Sequence, residues 1–167
     1  MKLKLLRALL LATVICTMNS CSSEDSKVEA TTASLQKVAN YSYNSIELKT
    51  MELINGYRVS KGLNPLQNIN HMSYKSEEHS NYMIANNVVN HNGFSARSEN
   101  IMQTLGATSV SENIAYNYNT PEAVLNAWLA SPGHKENIEG NFTHFGIAIK
   151  ENPATGKKYY TNIFAKI

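Results

Sequence analysis

Cysteine is nearly absent. The chain of 167 residues holds two, Cys16 and Cys21, both at its N-terminal end. The rest has no thiol for a disulfide and must rest on its apolar core alone, even in an oxidising compartment. No apolar run is long enough to span a membrane. The longest, from Leu5 to Ile15, is broken by Arg7 and falls short of the helix a bilayer requires. There is no basic stripe. The net charge of +2 includes Lys2, Lys4 and Arg7, while all thirteen acidic residues lie beyond them. Past that segment, twelve basic side chains face thirteen acidic ones, a balance near −1 that argues against nucleic acid as a partner. Gly-x-Ser-x-Gly, His-Glu-x-x-His, a phosphate loop and a catalytic cysteine are all missing, so no familiar hydrolase or nucleotide-binding signature is present. No internal repeat is visible.

What is there begins with a leader. Three basic residues, an apolar stretch and then small and polar residues have the order of a secretory signal peptide, assigned to 1–20. Met18-Asn19-Ser20-Cys21 is a loose lipobox, with a small residue directly before the cysteine. Cys21 is therefore expected to be the lipidated first residue of the mature chain. The polar, acidic Ser22-Ser23-Glu24-Asp25 that follows resembles the start of surface-directed lipoproteins. Two or more acyl chains give stable anchoring, so the membrane is an expected partner through Cys21. The expected location is the cell envelope, at the outer membrane and surface-exposed. Residues 21–44, rich in Ser, Thr, Ala and Asn, read as lipidated cysteine plus tether. From 45 to 167 about 120 residues remain, enough for one core and not two.

Hydrophobic spacing predicts a helix over 45–61, with Leu48, Met51, Ile54 and Tyr57 as its apolar stripe and Gly62 closing it. A second spans 70–87, with Met72, Ser76, His79 and Met83 on one face and Tyr82 and Ile84 widening it. Thr120-Pro121-Glu122 is a helix start, with an N-cap, a proline at N1 and an acid in the first turn. Val124, Leu125, Trp128 and Leu129 form the buried face of that helix, and Ser131-Pro132 starts a short fourth. Residues 144–150 and 157–167 read as a hairpin across the turn cluster 152–156, and 112–118 as a third strand. The sum is α+β, helices packed on a small antiparallel sheet.

Three side chains carry the chemistry. His91 lies in Asn-His-Asn-Gly, Glu112 in Ser-Glu-Asn-Ile-Ala and His134 in Ser-Pro-Gly-His-Lys-Glu-Asn-Ile. Two imidazoles and a carboxylate are a common first set of ligands for a divalent metal, or a kit for acid–base work. They lie 21 and 22 residues apart, so only tertiary structure can join them. His134, in the first turn of a helix, is expected to be neutral because the dipole opposes a cation there. Asn113, Ser131, Tyr116 and His144 are supporting candidates. Tyr116 and Tyr118 follow Glu112 at even offsets and suit a cleft wall. His79 reads as a packed, hydrogen-bonded core residue, His71 as a surface residue at a helix start, and Trp128 as core. Ser111 beside Glu112, with His91 and His134 elsewhere, is a faint hydrolase constellation.

The order of these segments resembles the CAP superfamily, also called SCP-like or cysteine-rich secretory-type domains, in its bacterial branch. The resemblance rests on Leu53-Ile54-Asn55-Gly56-Tyr57-Arg58, Gly62-Leu63-Asn64-Pro65-Leu66, His79 with Met83, and His91-Asn92-Gly93. It continues with Glu112-Asn113-Ile114-Ala115, Trp128 before Ser131-Pro132-Gly133-His134, and Phe142 to Ile147. It covers 45–167. It implies a three-layer α-β-α sandwich and a tetrad to which His91, Glu112 and His134 correspond. The tetrad's second glutamate falls at Ser131 here, which removes one carboxylate and counts against a mechanism needing a Glu pair. His91, His134 and Glu112 would still hold a divalent ion such as Zn²⁺ weakly, with water completing its shell. Three functions stand open. The first is an envelope-anchored domain binding a small-molecule, lipid or protein ligand at a His/Glu cleft, with an optional divalent metal. The others are a metal-assisted hydrolase of peptide or cell-wall material, and a structural or adhesive surface module with a vestigial site.

Overall fold

The computed structural model describes residues 39–167. The leader, the lipobox with Cys21 and the tether up to residue 38 lie outside the described residues. In chain order the elements are α1 (Ser45–Ser60), β1 (Gln67–Asn68), α2 (Asn70–Asn86), α3 (Phe94–Leu105), β2 (Ser109–Tyr116), α4 (Pro121–Ala130), α5 (Pro132–Glu139), β3 (His144–Glu151) and β4 (Lys158–Lys166). None of the described helices is long and apolar enough to cross a membrane.

The sheet runs β1-β3-β4-β2. β2, β3 and β4 are antiparallel, and the two-residue β1 adds to β3 in parallel, which makes the sheet mixed. Strand alternation sends Phe145, Ile147, Ile149, Tyr160, Phe164 and Ala115 to one face, where they meet Ile54 of α1, Trp128 of α4 and Ile138 of α5. Ile114, Tyr159, Ile163 and Ala165 point the other way, onto Met72 and Met83 of α2 and Ile101 of α3. Helices on both faces of one sheet give the three layers.

The caps are local. Asn44 and Glu47 form a capping box at the start of α1. Glu47 also accepts hydrogen bonds from the Tyr41 hydroxyl at 2.6 Å and the Ile149 amide of β3 at 2.8 Å. Ala39 donates to His71 Nδ1, and Tyr43 pairs with Ser73, so the residues just before α1 are tied to the domain as well. Thr120 caps α4 ahead of Pro121 as expected.

Several local expectations need correction. The buried stripe of α1 is Glu47, Thr50, Met51, Ile54 and Arg58, while Leu48 is exposed. A spacing of three drifts around a helix of 3.6 residues per turn, so the first member of the series falls off the stripe. On α2 the face is widened by Ser73 and Ser80, not by Tyr82, which is exposed. His71 is buried, with its Nε2 2.8 Å from Asn100 Oδ1. β2 begins three residues earlier than expected and stops at Tyr116, because Asn117 turns the chain with φ of +63°. Helix α3 and strand β1 are additions to the expected elements. Only Ser98 and Ile101 of α3 are buried, too few apolar positions to show a period.

Candidate functional site

Glu112 sits mid-strand on β2, the free edge of the sheet, with its side chain 1% exposed. Both of its oxygens are taken. Oε1 accepts from His91 Nδ1 at 2.9 Å and from Arg97 Nη2 at 2.8 Å, and Oε2 accepts from Arg97 Nε at 3.0 Å. Arg97, on α3, therefore clasps the carboxylate with two parallel bonds, the strongest geometry available to such a pair. Its remaining amino group, Nη1, donates to Asn92 O at 2.7 Å, so the same side chain also holds the loop that carries His91. Gly93 makes room for this. It has φ of +74°, and a Cβ there would stand 3.2 Å from Arg97 Nη1.

His91 presents Nδ1–H to Glu112, and with Nδ1 committed, Nε2 is the ring atom left for a ligand. Its side chain is 49% exposed. Behind it lies His79, wholly buried. His79 Nε2 donates to Asn90 O at 2.7 Å, one residue before His91, and stands 3.9 Å from Glu112 Oε1. Burial, more than any neighbouring charge, lowers its pKa, so the ring is neutral. His79 is thus the packed, hydrogen-bonded residue expected, and through Asn90 it also steadies the His91 loop.

His134 enters from the other helical layer. Its pKa is lowered first by burial and then by the nearby His91. The neutral form expected on dipole grounds arises here chiefly from desolvation. Asn113 Nδ2 donates to His134 O at 2.9 Å, and Asn137 Nδ2 donates to Asn113 Oδ1 at 2.8 Å and reaches Glu112 O at 3.4 Å. Asn113 thus ties β2 to α5 through its side chain. Trp128 Nε1 donates to Ile114 O at 2.9 Å. Asn137 and Trp128 between them occupy backbone carbonyls at an otherwise open sheet edge.

A groove of about 330 Å³ runs along this edge, lined by Ile114, Tyr116, Tyr118, Trp128, Ser131 and His134 among others. Tyr116 stacks edge-on against Tyr159, and Tyr118 against Tyr160. Ser131 ends α4 and starts α5 without a side-chain cap bond. A second groove, about 320 Å³, is lined by Glu78, His79, Tyr82, Asn92, Gly93 and Arg97. A larger cavity, about 640 Å³, is lined by none of the expected site residues. Its wall includes Arg58, Gln67, Glu139 and Lys166.

The fold joins His91 directly to Glu112 and leaves other candidates apart. His144 Nδ1 lies 2.8 Å from its neighbour Thr143 Oγ1 and reaches no group of the groove. Ser111 Oγ is buried without a partner, and alternation along β2 puts it on the opposite face from Glu112. The faint hydrolase constellation therefore does not assemble. Nor does the donor set fit a metal. Among the described residues no three His, Cys, Asp or Glu side chains converge on a metal position, and the only carboxylate beside His91 is already saturated by a guanidinium. Arg97, the residue missed in the sequence, left one trace there, as an arginine a few positions after the His-Asn-Gly turn.

A family model described as the cysteine-rich secretory protein family, CAP, matches residues 51–164. The uncharacterized protein YkwD of Bacillus subtilis is 35% identical over 130 residues, 75% of this chain and 49% of its own length. The uncharacterized membrane protein YlbC of the same organism is 31% identical over 126 residues, 72% of this chain and 34% of its own. The chain thus spans half or less of the curated relatives it matches. Among solved structures, an extracellular SCP-domain protein of Bacillus anthracis aligns with a TM-score of 0.63 at 26% identity, over 72% of this chain and 40% of that one. An outer surface protein of Borrelia burgdorferi gives the same TM-score at 18% identity, over 77% and 98%, a likeness of fold.

Proposed function

The chain belongs to the cysteine-rich secretory protein (CAP) family, and from that premise we propose that it is an envelope-anchored domain that binds a ligand at the β2 edge cleft. His91, held by Glu112 and Arg97, offers one imidazole edge to the ligand. His134, Tyr116, Tyr118 and Ser131 line the groove that receives it. The observation that carries this reading is the fixed His91: a buried carboxylate, itself clasped by Arg97, orients a half-exposed ring. An imidazole with a free ring nitrogen beside an aromatic groove suits a ligand that carries a polar hydrogen-bonding group and an apolar part. The hydrolase reading gains no support from Ser111, whose hydroxyl is buried without a partner on the face opposite Glu112.

The test is a fragment screen by NMR on the purified protein, using small aromatic alcohols and amides as probes. Shifts confined to His91, Tyr116, Tyr118 and His134, and lost in His134→Ala, support the cleft. Fragments that settle only in the Arg58 cavity would overturn it. Anchoring at Cys21 rests on the leader alone; the setting outside the cell is supported by two neighbours, one described as extracellular and one as an outer surface protein. Cys21→Ser should release the protein from the membrane fraction, and retention of the variant there would sink the anchor.

A further inference from the structure

Arg58, in the last turn of α1, is 2% exposed and is the only lysine or arginine buried among the described residues. Its partners are neutral. Nε donates to Asn64 O at 2.9 Å, and Nη1 to Ile138 O at 2.6 Å and Gly140 O at 3.0 Å. Nη2 has only a long contact, 3.4 Å, with Phe142 O. A guanidinium carries five N–H groups, so one at Nη2 is left over. These bonds stitch α1 to the turn between α5 and β3 and fix the guanidinium in place. They solvate the charge without neutralising it, and a buried charge is costly until it meets an opposite one. Burial accordingly lowers the pKa of Arg58.

The same side chain forms part of the wall of the cavity of about 640 Å³. Two other charged groups share that wall. Lys166 Nζ turns to an uncharged group, Asn141 Oδ1, at 3.1 Å. Glu139 Oε1 is already engaged, accepting from the Tyr57 hydroxyl at 2.6 Å and lying 3.9 Å from Lys135 Nζ. Among the described residues no carboxylate pairs with Arg58 or Lys166, so two unmatched cations face one engaged acid. Leu63, Pro65 and Phe142 supply an apolar side to the same cavity.

We propose that this cavity is a binding site, separate from the cleft, for a small organic oxyanion: a phosphate or carboxylate group held by Arg58 Nη2 and Lys166 Nζ, with its organic part against Leu63, Pro65 and Phe142. The guanidinium is already fixed, so binding spends little on ordering it. A charged donor favours a charged acceptor over a neutral one. The proposal does not depend on what the cleft binds, or on whether it binds anything.

The test is an NMR titration of the purified protein with phenyl phosphate and with benzoate at constant ionic strength, with benzamide as the neutral control. Both oxyanions should shift the Arg58 Nε–H and Lys166 signals and bind at least about tenfold more tightly than benzamide. Lys166→Gln should weaken them about two- to fivefold. Glu139→Gln keeps an acceptor for Tyr57 but removes the acid from the wall, and should tighten them by a similar factor. Lys157→Gln makes the same change in net charge as Lys166→Gln at an exposed position outside the cavity wall, and should leave binding unchanged. A merely structural Arg58 gives no such pair of opposite effects. Three results overturn the proposal. Benzamide binds as tightly as benzoate, Lys166→Gln and Lys157→Gln weaken binding equally as a general charge effect would, or the oxyanions leave the Arg58 signal unmoved.

Discussion

The two faces of the sheet bury their polar groups in opposite ways. On the face covered by α2 and α3, polar side chains do the joining. Ser76 Oγ donates to Gly146 O at 3.1 Å, Ser73 Oγ accepts from the Ile147 amide at 3.0 Å, and Ser80 pairs with Thr161 at 2.9 Å. Small serines let α2 lie almost on the strand backbone, and Gly146 is the matching notch. A Cβ there would come within 2.4 Å of the Ser73 amide nitrogen. On the face covered by α1, α4 and α5, bulk does the joining, with Trp128, Tyr160, Phe145, Phe164, Ile54 and Ile138 packed together. Yet this apolar face holds Asn162, wholly buried, whose amide oxygen and nitrogen both lack a partner, and the orphaned Ser111 hydroxyl. The site lies at the β2 edge, where the two kinds of packing meet. A close polar contact fixes geometry but tolerates no added atom, whereas an apolar cluster tolerates change in proportion to the volume lost.

The largest effect should come from the bulky face. Trp128→Ala removes the biggest fully buried side chain and the donor to Ile114 O, and should cost about 3–5 kcal/mol in urea unfolding. A loss under about 1 kcal/mol would show that α4 is not a structural wall of the groove. The close-packed face is probed by the smallest possible insertion. Gly146→Ala should cost about 3 kcal/mol, at the upper end for overpacking, because the clash is with backbone that cannot rotate away. If a single methyl there is tolerated within about 0.5 kcal/mol, the contrast between the faces collapses.

A change in the opposite direction tests the orphans. Asn162→Leu keeps the shape and removes two unpaired polar atoms, and should stabilise the domain by about 1 kcal/mol. Destabilisation would mean that Asn162 is bonded in solution, for example to an internal water. The smallest effect is one of pH. Burial lowers the pKa of His79, and of His134, below the ordinary value of 6.5. The unfolded chain therefore takes up protons before the folded one does. Stability from this source is complete above about 6.5 and is lost as pH falls toward the folded values. Chemical denaturation at pH 8 and pH 5 should show the loss, and His79→Gln should show less of it. An equal loss in both proteins would place the pH dependence elsewhere.

Much of the architecture is legible in the sequence because it is written in local chemistry. The Asn44 and Thr120 caps, Pro121 at N1, Gly62 after α1 and the turn cluster before β4 each act within a few residues. The α+β layering follows from helical and alternating patterns and from the family resemblance. His71 reads as a surface residue because a histidine at a helix start says nothing of what packs over it. Here Ala39 and Asn100, far away in sequence, cover it. α3 escapes a sequence reading because its one buried apolar residue cannot make a period.

By itself the sequence determined where α1, α2, α4 and α5 lie, which runs pair as a hairpin, and that His91, Glu112 and His134 are the residues to ask about. Only the tertiary structure decided what those residues touch. It put Arg97 on both oxygens of Glu112, set His79 beneath the His91 loop, left His144 to Thr143, and turned Ser111 to the opposite face. The reason is physical. Capping and turn preferences are settled by atoms a few bonds apart. A carboxylate's partner is whichever cation the packed helices bring within about 3 Å, and no local rule carries that distance.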